Sequence, residues 1–142
     1  MTTEVSSART RLFDALTEHT GASPWRVHRV TPAQIAAPSI YIDSVELSLD
    51  GVTGAVFVEA MFPIVVVADG AVRAQVEALD DVLAFVWDAS RLAGAEPSDS
   101  RPIALDVGGP TLRAHVLRVS MALSARTLCP SPVATARSLV NA

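Results

Sequence analysis

Residues 55–68 (AVFVEAMFPIVVVA) limit what this chain can fold into more than any other stretch. The run is β-branched and almost wholly apolar, which suits a pleated strand far better than a helix. Its hydrophobicity is two-sided, so both faces must be covered. Asp69 and Gly70 break it, and residues 71–92 then carry hydrophobics at helical spacing. A strand feeding straight into a long amphipathic helix gives one sheet face its cover. Glu59 is the single charge in the strand, and Pro63 removes a ladder donor. Together they predict an edge or a bulge near its middle.

In the helix, Val72, Val76, Leu79, Leu83 and Val86 recur at intervals of four and three, Val82 widens the stripe, and Phe85 lies beyond its edge. Asp69 is the natural N-cap and Gly94 the stop. Glu77, Asp80, Asp81 and Asp88 fall away from the stripe, and Arg73 is placed to pair with Glu77.

Toward the N-terminus, Ala8, Leu12, Ala15 and Leu16, with Phe13 beside them, predict a short helix capped by Ser6 or Ser7 and ending near Gly21. Residues 25–30 (WRVHRV) read as extended, with Trp25, Val27 and Arg29 on one face. Residues 31–38 are a loop between prolines, and 39–43 (SIYID) a strand. Residues 44–54, with the Asp50–Gly51 turn signal, read as a long connection or, alternatively, a small hairpin.

Residues 95–102 (AEPSDSRP) read as a polar loop. A hairpin follows, 103–107 and 111–124 flanking Gly108, Gly109 and Pro110. Along its second arm Leu112, Ala114 and Val116 alternate, then Leu117, Val119, Met121 and Leu123 do so out of phase, which predicts a bulge at Val116 and Leu117. The expected fold is α+β: an antiparallel or mixed sheet of about four to five strands packed against one long helix, plus a short N-terminal helix. Residues 1–128 form one domain and 129–142 a flexible tail or arm.

Composition narrows the function. The net charge of −4 argues against a nucleic-acid coat. All eleven basic residues are Arg, so a lysine Schiff base and a phosphate-loop lysine are both excluded. The single Cys129 excludes an intramolecular disulfide and a cysteine-rich zinc site. Hydrophobic residues make up 50% of the chain and mean hydropathy is +0.37, so some apolar surface is expected to serve partner subunits. The uncharged run 60–68 is half a bilayer span, and charges interrupt the N-terminal region; neither a membrane span nor a signal peptide is expected.

Candidate chemistry is sparse. Glu77, Asp80, Asp81 and Asp88 could hold a cation or act as general acid and base, but charge on the outer face of a helix ordinarily meets water. His19, His28, His115 and Cys129 lack metal-ligand spacing. No Gly-x-Ser-x-Gly elbow exists. Trp25, Arg26, His28 and Arg29 form the one basic-aromatic cluster, readable as a nucleic-acid or acidic-partner contact or as an ordinary alternating strand. No cofactor, metal or catalytic residue is expected.

The order of these elements, with the A-A-P-S-I-Y-I segment and the D-V-G-G-P-T-L-R-A hairpin, resembles the tail terminator proteins of long-tailed bacteriophages over residues 8–124. The resemblance implies a non-enzymatic α+β subunit of a hexameric ring in the virion, assembled in the host cytoplasm. Such a ring caps the tail tube and docks with the head–tail connector or stopper. Its partners are further copies of itself, the tube protein and the connector, with DNA only passing through the channel and no membrane involved. On that basis Glu59, Met61, Pro63, Val65, Leu49, Asp50, Trp25 and Arg26 are the expected subunit-interface residues. The acidic face of Glu77, Asp80, Asp81 and Asp88 is a candidate channel lining. Another neck or head–tail joining subunit is the near alternative. A small bacterial ligand-binding or regulatory α+β domain is the distant one.

Overall fold

The computed structural model describes residues 4–20, 25–49, 57–68, 72–106 and 111–124. In chain order the elements are α1 (Glu4–Thr20), β1 (Arg26–His28), β2 (Ser39–Ile42), β3 (Glu46–Leu49), β4 (Phe57–Val67), α2 (Val72–Leu92), β5 (Glu96–Leu105) and β6 (Leu112–Ser124). The fold is α+β, as expected, with a mixed six-stranded sheet in the order β1-β2-β4-β6-β5 and β3 paired beside β4. Two differences from expectation stand out. The sheet has six strands rather than four to five, and the N-terminal helix, at 17 residues, is not short.

β4 is the spine. β6 pairs with it along its whole length, from Phe57↔Ser124 to Val67↔Ala114. On its other side β2 and β3 lie in tandem: β2 pairs with Ile64 to Val67 and β3 with Val58 to Met61. The register against β6 is unbroken, so the expected bulge is absent, and the expected edge is confined to a short gap at Phe62 and Pro63 between β2 and β3. Pro63 falls where β2 has ended and β3 has not begun. Its carbonyl accepts from the Asp43 N–H at 2.8 Å, so its missing donor points at the same gap and costs the ladder nothing. Within the connection expected at 44–54, β3 runs antiparallel to β4; residues 50–56, Asp50 and Gly51 among them, lie outside the described residues.

Alternation along the strands sorts the side chains onto two faces. One face carries Ile40 and Ile42 of β2, Ala60, Phe62, Ile64 and Val66 of β4, and Leu117, Val119, Met121 and Leu123 of β6, all buried in the main core. Both helices cover this face. α1 contributes Ala8, Leu12 and Leu16, and α2 contributes Leu79, Val82, Val86 and Ala89. The opposite face holds a second, smaller cluster of Tyr41, Val65, Val67 and Ala114, bordered by Ile35, Ala37, Ile103, Leu105, Leu112 and Val116.

These two clusters explain the phase change in β6. Leu112, Ala114 and Val116 serve the small cluster and Leu117 to Leu123 the main core, so an unbroken strand changes the face it buries. Register against β5 and β4 runs through Val116 and Leu117 without interruption, and the expected bulge there does not occur. The irregularity lies in β5, between Pro97 and Asp99. The Ser98 hydroxyl donates to the Arg118 carbonyl at 3.1 Å.

β5 itself corrects the loop expected at 95–102. It is an edge strand with mostly exposed side chains, so the apolar alternation that marks a strand is missing. Pro97 and Pro102 are tolerated because an edge needs ladder donors on one side only.

α2 ends in a Schellman motif. The Ala95 N–H donates to the Ser90 carbonyl at 2.9 Å and the Gly94 N–H to Arg91 at 3.0 Å, with Gly94 at φ +86°. α1 starts at Glu4, which places Ser6 and Ser7 inside its first turn rather than at its cap. The proposed cap Asp69, the Gly108–Gly109–Pro110 turn and the 129–142 tail lie outside the described residues.

α1 is pinned to a corner of the sheet by two arginines. The Arg9 guanidinium donates to the carbonyls of Arg29 (3.0 Å), Ile42 (2.7 Å) and Asp43 (2.9 Å), and lies 5.3 Å from the Phe62 ring centroid. Arg29 reaches back to the Ser6 carbonyl and hydroxyl and to the Thr10 hydroxyl. Burial and the nearby Arg29 push Arg9 below its usual value, while Asp43 opposes them.

Candidate functional site

The sheet face away from the helices is the first candidate surface. Glu59, Met61, Pro63 and Val65 are two apart in β4 and therefore share it, and the registers of β1 with β2 and β2 with β4 bring Arg26 to the same face. Glu59 and Arg26 are exposed, and Met61 and Pro63 half-buried. Val65 is different: it is 3% exposed, sealed by the chain's own Tyr41 and Ala114 cluster. Trp25 faces the other way, packing half-buried with Val27 against the main core. The side chain of Leu49 and the whole of Asp50 lie outside the described residues.

This face is divided. Around Tyr41 and Val65 it is apolar, with half-buried Ile103, Leu105, Leu112 and Val116 at its rim. Around Glu59 it is polar. There Arg118 sits between the Met61 sulfur, 3.2 Å from its Nε, and Asp99, 3.9 Å from a terminal nitrogen. At that distance and exposure the ion pair contributes little to stability. Burial, followed by the Asp43 carboxylate, holds the Tyr41 phenol above its usual value.

The second candidate is the outer face of α2. Glu77, Asp80, Asp81 and Asp88 are all exposed there, as their positions off the apolar stripe predict. Large apolar side chains stand among them: Phe85, beyond the edge of the stripe, is 53% exposed, and Leu92, which sequence reasoning did not single out, is 71% exposed. They lie seven residues apart, two helical turns along one column. Trp87, on the other flank, is partly exposed.

A groove of about 340 Å³ lies between α2 and the β5–β6 edge, lined by Leu79, Pro102, Ala104, Arg113 and His115 and by the backbone side of Ile103 and Ala114. His115 faces the helix side of the sheet, half-buried, and its Nδ1 is shielded without a hydrogen-bond partner. The alternation of Leu112, Ala114 and Val116 already implied that Arg113 and His115 share the other face.

Of the remaining histidines, His19 stands at the end of α1 and His28 in β1, and Cys129 lies outside the described residues. Among the described residues no three His, Cys, Asp or Glu side chains gather as a metal site, and no helix is long and apolar enough to cross a membrane. Neither a protein-family model nor a curated protein sequence matches the chain.

Proposed function

We propose that this chain is a structural assembly subunit, and specifically a tail terminator that forms a ring at the head-proximal end of a long-tailed phage tube. The observation that supports assembly is the incompletely sealed apolar patch on the sheet face opposite the helices. Its rim residues Ile103, Leu105, Leu112 and Val116 remain half-exposed, and Met61 and Pro63 extend it along β4. Contiguous apolar surface of this kind ordinarily marks an interaction site. The resemblance in element order supplies the terminator, the tube protein and the connector as partners. In such a ring each copy presents one surface to a different surface of the next. Glu77, Asp80, Asp81 and Asp88, lining the channel, would repel DNA and keep it mobile.

Light scattering on the eluting chain, alone and mixed with tail-tube protein, tests the proposal. A ring mass in either sample supports it; a monomer in both, at tens of micromolar, refutes it. Leu105→Glu, at the rim of the patch, is expected to abolish the ring while the monomer melts as the wild type does. Val65→Arg is the contrasting variant: because Val65 is sealed within the chain, a charge there unfolds the monomer rather than merely separating subunits.

A further inference from the structure

We propose that the groove between α2 and the β5–β6 edge binds a small amphipathic carboxylate, with Arg113 and His115 holding the anionic end. This goes beyond the assembly reading and stands or falls apart from it. Four observations converge. Arg113 and His115 are two apart on one strand, which sets their Cα atoms about 7 Å apart on the same face. That face is the one lining the groove. Leu79 of α2 and Pro102 and Ala104 of β5 supply apolar walls. His115 lines the groove half-buried, beside the exposed Arg113.

The state of the imidazole follows from its surroundings. Its Nδ1 is shielded from solvent and has no partner. An orphaned N–H is rarer in folded proteins than an under-used lone pair, so in a neutral ring Nδ1 keeps the lone pair and Nε2 carries the N–H. The ring then has one N–H to offer, and the Arg113 guanidinium beside it is a planar fork that matches a carboxylate. Small-molecule sites commonly combine apolar walls with a few convergent polar groups. A free phosphate would use the cationic end and leave the walls idle; an alcohol would use the walls and leave Arg113 without its anion.

Titration of the isotopically labelled full chain with hexanoate, followed by backbone amide NMR, tests this. Saturable shifts are expected at Leu79, Ala104, Arg113 and His115. 1-Hexanol and inorganic phosphate, as separate probes, should each bind at least tenfold more weakly. Arg113→Gln should weaken hexanoate at least tenfold with the rest of the spectrum unchanged, since the side chain is exposed. Ala104→Glu, also exposed, places a like charge on the wall and should do the same. Absence of saturable shifts, hexanol or phosphate binding as tightly as hexanoate, or unaltered binding in both variants would each overturn the proposal.

Discussion

Replacing Arg9 with Met should cost this protein about 3 kcal/mol, although Arg9 lies near the surface and a methionine fills much of its volume. The gross loss is larger. Three carbonyls, of Arg29, Ile42 and Asp43, lose a charged donor. Hydrogen bonds to charged groups contribute about 1.5–3 kcal/mol each. The Phe62 ring, 5.3 Å away, loses a cation contributing up to about 1 kcal/mol. Two effects offset this. Burial and Arg29 both oppose the Arg9 charge, and Met relieves that strain. Water can also reach the cleft formed by Val30, Thr31, Ile42, Asp43 and Ser44 and bond the freed carbonyls.

For a chain of this size the remainder lowers the melting temperature by about 10 °C. Arg9→Lys should recover only a minor part, because an ammonium cannot fork across three acceptors. Urea and thermal unfolding followed by far-ultraviolet circular dichroism would measure both variants. If Arg9→Met melts within about 2 °C of the wild type, the two-arginine pin is decorative and the argument fails.

Gly94→Ala should destabilise by about 1 kcal/mol, read by the same melts, because the left-handed φ of +86° disfavours a side chain even though a Cβ there would touch nothing. Gly94→Asn should cost less, Asn tolerating that conformation better. Tyr41 provides an alkaline test. Its folded value lies above the usual 10.0, so the neutral phenol is favoured by the fold. Its contribution is complete below pH 10 and is lost as pH rises through the folded value. As the chain's single tyrosine, it reports alone in the phenolate absorbance. Unfolding in alkali should track that absorbance, and Tyr41→Phe should remove this part of the pH dependence.

The long strand and the long helix were readable because burial imposes a strong pattern on each: two-sided hydrophobicity on β4 and a single stripe on α2. β5 was unreadable for the opposite reason. An edge strand paired on one side, with most of its side chains in water and only Pro97, Ile103 and Leu105 half-buried, retains Pro97, Asp99 and Pro102, which look like loop. In β6 the pattern was seen and its cause mistaken, since a switch of buried face and a bulge produce the same phase change. Only knowledge of the second cluster around Tyr41 separates them.

For the candidate surfaces, alternation along β4 sets Glu59, Met61, Pro63 and Val65 on one face. It could not show that Tyr41 and Ala114, distant in sequence, close over Val65. Nor does the chain signal that the helices leave Arg113 and His115 beside a groove. That depends on where α2 crosses the sheet.

The three outer strands give the sheet unequal receptivity. Among the described residues β3 pairs only with β4, and it carries no proline and displays Leu47 at 48% exposure. β1 is three residues long, and β5 is punctuated by two prolines. A strand that added to β3 would find no comparable edge across the sheet to hand the pairing on. Backbone-mediated growth would stop after one addition. The architecture thus disfavours endless sheet polymerisation, the hazard that accompanies a chain this apolar, and leaves closed assemblies to be built from side-chain surfaces.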